Sequence, residues 1–359
     1  MYLCRLTPPY AVMIMLQATL LRYISSGPLF NSTVDAYADN CKKYWWTNIL
    51  YINNYVEHDK YCLPQSWYLA MDMQLFILSP IILIPLWKCS KKWSLSLLGA
   101  LICAGLITAF TVSFVEKLPA TLFSANPDIV RLQYYPTHTR FTPWLIGIGF
   151  GYFFYETKRT KLKLSKLAVF LGWCVSNVAM LGSIHGLYAF YKDFTLESIN
   201  DFYTKDDTAN VQASMYTTLS RSSWALGVGW VAYACTFDYA GPINMLLSWK
   251  VFRPLSKLTY CAYLVHASYQ IIQTYSTRTP IYISDLSIVP HVVSDVIFCL
   301  AFAAILSLTV EVPVLILEKY ALGRGGKSRS NEEIVETGTQ QDNTKTDSDL
   351  EQERTEHIT

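Results

Sequence analysis

The chain has 359 residues, 52% of them hydrophobic, 14% aromatic and only 16% charged, with a net charge of +2 and a mean hydropathy of +0.23. Soluble domains carry closer to a quarter charged residues, so this composition argues against one, and a charge so near zero makes no case for nucleic acid. The apolar residues fall in runs of about twenty separated by short polar loops, the pattern of an all-α polytopic membrane protein.

Met1–Tyr10 is polar only at Arg5 and Thr7, and a first span is expected over Pro9–Gly27, with Arg22 near its far end. A polar loop, Pro28–Ser66, then holds the glycosylation sequon Asn31-Ser32-Thr33 and two cysteines, Cys41 and Cys62. The second span, Trp67–Trp87, is closed by Lys88, Lys91 and Lys92, and a third covers Leu95–Val115. The loop Glu116–Arg140 leads to a short fourth span, Phe141–Tyr155, followed by Lys158, Arg159, Lys161, Lys163 and Lys166. A fifth span, Leu167–Phe190, precedes an acidic loop with Glu197, Asp201, Asp206 and Asp207. The sixth, seventh and eighth spans are expected at Met215–Phe237, Leu258–Tyr275 and Val292–Leu317. From Gly323 the chain is rich in Glu, Asp, Thr, Gln and Ser and reads as a disordered tail, so residues 1–322 form the membrane domain and 323–359 the tail. No secretory signal is visible: the apolar stretch after Pro9 is too long and lacks a clear small-residue cleavage site.

The basic loops Lys88–Lys92, Lys158–Lys166, Lys250–Lys257 and Lys319–Arg329 fall on one side of these spans, and the sequon loop and acidic loop fall on the other. The positive-inside rule makes the first set and both termini cytosolic. Asn31 and the two cysteines then face the lumen or exterior, where glycans and disulfides form. Compartment favours a Cys41–Cys62 bridge holding the outer loop beside the Trp67 helix, over two free thiols.

Several charges lie in or near the spans. Asp72, one to two turns inside its run, costs several kcal/mol unless paired, neutralised or wetted. Tyr68, Asp72, Phe76 and Ser79 share a helical face, a polar stripe that can point into a bundle. Arg22, Asp72, Arg140 and Arg221 form an outer tier; Arg5 and Glu311 lie toward the cytosolic side, with His266 nearer the middle. Each arginine either snorkels to headgroups or finds an acidic partner, and Asp72 is the obvious partner for Arg140 or Arg221. His266 alone reads as a buried neutral imidazole, and Glu311-Val312-Pro313 as a helix end. Gly147, Gly149 and Gly151 offer a small-residue face for close helix contact. No phosphate loop, zinc-ligand spacing or Gly-x-Ser-x-Gly elbow is present, so no metal and no bound cofactor is expected.

Several stretches resemble one family. Arg5-Leu6-Thr7-Pro8-Pro9-Tyr10 looks like the Arg-x-x-Pro-x-Tyr segment of the acyltransferase 3 membrane family. Trp67-Tyr68-Leu69-x-x-Asp72-x-Gln74-x-Phe76, with Pro80 following, is similar to its Trp-Ser-Leu-x-x-Glu-x-x-Phe-Tyr…Pro motif, with Asp72 in place of Glu. The run from Arg253 to His266 resembles its late Leu-Ser…Tyr-x-x-Tyr-Leu-x-His stretch. The Cys41…Trp45-Trp46-x-Asn48…Cys62 segment, Arg221-x-x-Trp224 and Glu311-Val312-Pro313 are closest to the invertebrate "nose resistant to fluoxetine" branch. The likeness runs from about Arg5 to Leu322.

That family's opening helix carries an Arg and a His, the proposed catalytic base, and the branch adds a large lumenal N-terminal domain. Neither has a counterpart here, so the sequence reads as a C-terminal portion, from an incomplete gene model or a shortened isoform. The resemblance implies acyl transfer, with acyl-CoA as co-substrate, to a hydroxyl-bearing or lipid acceptor, impaired where the catalytic His is missing. It casts Asp72 and His266 as catalytic candidates, with a helix-pairing role for Asp72 weighed slightly higher. Arg5, Arg140 and Arg221 become candidate substrate or acyl-donor ligands, Arg5 for a CoA phosphate. Trp67 and Glu311 are expected to serve structure. The competing expectation is a lipid or drug carrier without chemistry, in the endoplasmic reticulum, another endomembrane or the plasma membrane. A seven-span receptor fits poorly.

Overall fold

The structure is a computed structural model that describes residues 2–57, 60–120, 128–161, 163–188, 207–279 and 284–321. The expected acidic loop, apart from the backbone of Asp207, and the tail from Gly323 lie outside the described residues. No strand occurs among the described residues. The long helices are α1 (Tyr2–Thr19), α2 (Phe30–Ile49), α3 (Trp67–Lys88), α4 (Lys91–Val115), α5 (Thr142–Thr160), α6 (Lys166–His185), α7 (Asp207–Thr236), α8 (Phe252–Tyr275), α9 (Asp285–Leu306) and α10 (Val312–Ala321). Among the described residues, four stretches are long and apolar enough to cross a membrane: Pro64–Lys88, Lys91–Val115, Lys166–His185 and Ile288–Ala321. Their large apolar side chains face outward; Phe170 and Val178 of α6 are 64% and 72% exposed. Water would penalise such a surface and hydrocarbon would not, so the protein is an integral membrane protein.

The chain divides into two units. The first holds residues up to Leu16, Leu258–Gln270 of α8, and the α9–α10 run. Tyr10, Cys261, Leu264 and Ala303 are fully buried in it. Tyr269 stacks on Phe298 at 5.8 Å between centroids. Glu311-Val312-Pro313 does not end a helix here. A π turn, Ser307–Glu311, joins α9 to α10 and places Pro313 at the second position of α10, where a missing N–H is tolerated.

The second unit runs from Gln17 to Lys257 with Ile271–Thr279. In it α7 packs against α4, α5 and α6. Leu86, Leu98 and Leu145 form a buried cluster covered by Ile82, Phe141 and Trp144. Ser165 caps α6, its hydroxyl accepting from the Ala168 N–H at 3.2 Å.

Three expectations are corrected. The loop between the first two spans is largely the helix α2. Phe30, Val34, Ala38 and Cys41 recur at helical spacing and are all 0% exposed, and no Pro or Gly interrupts them. Its polar remainder hid it from a search for apolar runs. Cys41 and Cys62 are disulfide-bonded; the bridge therefore pins a helix, not a loop, and Asn31 is exposed in that helix's first turn. The glycine face of α5 is not a close contact: a side chain at Gly147 or Gly151 would meet open space, and only Gly149 approaches a neighbour, Leu98. Close approach occurs instead at Gly172, against Trp230, and at Gly229, against Phe150.

Candidate functional site

The second unit contains a cavity of about 570 Å³ lined by Tyr68, Asp72, Arg140, Trp144, Arg221 and Trp224, among others. A smaller one of about 260 Å³ shares Arg140, Ser220 and Arg221 and adds Gln133, Tyr134 and Tyr216. The two arginines are therefore common to both.

Local chemistry fixes each contributor. Asp72 comes from α3, four residues after Tyr68, so both reach one face. The rest of the expected stripe does not: Phe76 is 47% exposed, and Ser79 donates to the Phe76 carbonyl of its own helix at 2.7 Å. Gln74 points elsewhere, as two residues along a helix requires. Its amide donates to the Tyr51 carbonyl at 2.9 Å and the Asn54 Oδ1 at 2.8 Å, and it accepts from Thr137 Oγ1 at 2.6 Å.

That last bond anchors the segment between α4 and α5. Thr139 Oγ1 bridges the Gln133 and Pro136 carbonyls at 3.0 Å each, and the Arg140 N–H donates to the Thr137 carbonyl at 3.0 Å. A side chain at Gly105 of α4 would collide with Thr142, so α4 lies hard against the next turn. The Arg140 guanidinium is thereby held over the rings of Tyr134, 3.9 Å away, and Trp67, 4.8 Å away, within the reach of cation–π attraction. Its Nε is buried without a hydrogen-bond partner.

Arg221 lies on α7, immediately after Ser220, whose carbonyl accepts from Ser183 Oγ of α6 at 2.8 Å. Tyr216 donates to the Ser183 carbonyl at 2.8 Å, one turn earlier on α7. These bonds set the height of Arg221 against α6. Arg221 is within electrostatic reach of Arg140, and like charges there oppose each other.

The structure thus brings together Asp72, Arg140 and Arg221, the outer-tier residues singled out from sequence. Arg22 is taken by α2 instead: its Nη2 is 3.1 Å from Asp39 Oδ1 and its Nε 3.7 Å from Asp35 Oδ1. Trp67 supports Arg140. Sequence reading missed Gln133, Tyr134, Trp144 and Tyr216, because loop and mid-helix residues without charge carry no periodic signal.

The first unit holds the remaining candidates. Glu311 is 3% exposed and 3.1 Å from Arg5 Nε. Its other oxygen accepts from Cys261 Sγ at 3.3 Å and Ser307 Oγ at 3.0 Å. Arg5 is about half exposed, so one edge of its fork is held by Glu311 and another is open to solvent. The His266 Nδ1 lies 2.6 Å from the Tyr263 carbonyl. A carbonyl only accepts, so Nδ1 is the donor in this contact.

An acyltransferase domain, that of the acyltransferase 3 family, matches residues 3–316. The chain belongs to that family. It is 33% identical over 326 residues to nose resistant to fluoxetine protein 6 of Caenorhabditis elegans, covering 86% of this chain and 38% of that protein. It is 24% identical over 267 residues to regulator of hypoxia-inducible factor 1 of the same organism, covering 68% of this chain and 49% of that protein. The chain therefore spans less than half the length of these curated relatives. No solved structure matches.

Proposed function

We propose that this domain is the membrane part of an O-acyltransferase, moving an acyl group from a cytosolic acyl-CoA to a hydroxyl acceptor. The observation that carries this is family membership over nearly the whole chain, joined to a cavity where Asp72, Arg140 and Arg221 converge. In the reaction the acceptor oxygen bonds to the acyl carbonyl carbon, the thioester C–S bond breaks, and the hydroxyl proton passes to a base. Asp72 and His266 are the catalytic candidates of this chain, His266 without the role of base, and a helix-pairing role for Asp72 is weighed slightly higher. Arg5, cytosolic under an eight-span topology with both termini inside, offers the open edge of its guanidinium to a CoA phosphate. On that topology the Cys41–Cys62 bridge and Asn31 face the lumen or exterior, and residues 323–359 form a separate cytosolic tail.

A second reading is favoured by one observation: the described residues lining the Asp72 cavity include no histidine. A carrier would use the same polar interior without chemistry, and the first relative's name, which refers to fluoxetine resistance, keeps a lipid or drug cargo in view. Reconstituted protein supplied with radiolabelled acyl-CoA and a lipid alcohol separates the two. Labelled ester, with Arg5→Gln raising KM for acyl-CoA about tenfold and Asp72→Asn abolishing turnover at normal expression, supports the transferase. Cargo movement with no ester formed would establish the carrier.

A further inference from the structure

The smaller cavity has a chemistry that neither reading uses. Among its described lining residues, Arg140 and Arg221 are charged and no carboxylate is present. Asp72 lines the larger cavity instead. Gln133 also lines the smaller one, is 1% exposed, and has both its amide nitrogen and its amide oxygen without a hydrogen-bond partner. A buried amide with both ends unsatisfied is costly, and two mutually repelling guanidiniums beside it are costly too. One guest removes both penalties. An anion neutralises the arginines, accepting in the bidentate way a guanidinium favours. It also accepts from Gln133 Nε2, while a hydroxyl on the same head group donates to Gln133 Oε1.

We infer that the smaller cavity is a receptor for an anionic head group, a phosphate or carboxylate beside a hydroxyl, gripped by Arg140, Arg221 and Gln133. The larger cavity, which opens from the same two arginines and is walled by Met71, Leu75, Trp144, Ile184 and Trp224, takes the hydrocarbon attached to it. This deepens the substrate role proposed above for Arg140 and Arg221, yet it concerns binding alone and stands if no acyl group is transferred.

The test uses the full chain in uncharged maltoside micelles, followed by intrinsic tryptophan fluorescence and thermal unfolding. Three probes are titrated: oleoyl lysophosphatidic acid, inorganic phosphate, and monooleoylglycerol, which keeps the chain and hydroxyls but lacks charge. The expected result is lysophosphatidic acid binding at least tenfold tighter than monooleoylglycerol. Inorganic phosphate giving the same affinity as the lipid would identify a soluble anion as the guest of the same receptor; a weaker response would identify the lipid. Gln133→Glu places a carboxylate of nearly the same size beside both arginines. That variant should fold, melt at or above the wild-type temperature, and lose at least tenfold in affinity for lysophosphatidic acid, as should Arg221→Gln. Equal binding of the charged and uncharged lipids to the wild-type chain would overturn the inference without recourse to any variant. So would wild-type affinity in Gln133→Glu.

Discussion

Two arginine sites among the described residues meet their charge in opposite ways. In the first unit Arg5 meets Glu311, whose second oxygen is satisfied by a thiol and a hydroxyl. There the buried carboxylate is complete, its charge met by Arg5 and its other hydrogen bonds made from within. In the second unit Arg140 rests on two aromatic faces, beside a second arginine and an amide with no partner. Closed electrostatics favour the folded state, whereas open electrostatics cost folding energy and leave attraction for something else.

The sharpest way to break this contrast is to remove Arg5. Arg5→Ala strands Glu311 in a buried setting and should cost about 2–4 kcal/mol of stability, seen as a lower unfolding temperature in micelles. Trp67→Leu should come next, at about 1–2 kcal/mol, by removing one face of the Arg140 cradle, and Trp67→Phe should restore part of it. Arg221→Gln should fall within about 1 kcal/mol of wild type, or above it, because it relieves repulsion. A loss as large as that of Arg5→Ala would show that the second site is closed after all.

The smallest effect concerns His138, two residues before Arg140 and 3.1 Å from the Tyr55 hydroxyl through Nδ1. Burial pushes its imidazole below the usual histidine range. The folded state therefore holds the neutral ring. That stability is full above about pH 6.5 and is lost as pH falls through the folded value. Unfolding temperatures measured from pH 8 to 5 should decline slightly, and His138→Gln should flatten the decline.

Much of this was legible in the residues, for reasons that differ by region. The spans that became α3 and α4 were readable to within a few residues because a continuous apolar run has a length scale set by the bilayer. Asp72, Arg140 and Arg221 stood out in the sequence because each is a charge set in or beside an apolar run, and all three line one cavity. The helix α2 was hidden because its buried stripe is only one residue wide among polar neighbours. Gln133 was hidden because the cost of its amide depends on burial and on partners brought from sequence positions far away. Gly147 and Gly151 misled because small residues permit close packing without requiring it.

The π turn at Ser307–Glu311 has a consequence for register. A π turn adds a residue to a helical circuit, so the side chains of α10 are rotated by about one helical step, roughly 100°, from where a straight continuation of α9 would set them. The lipid-facing stripe of α9 is therefore not the stripe of α10, and a helical wheel drawn through Ile288–Ala321 as one rod would assign the wrong face to the 10 residues of α10. Deleting a single residue from Leu308–Val310 would straighten the rod and swing Glu311 away from Cys261 and Arg5 together.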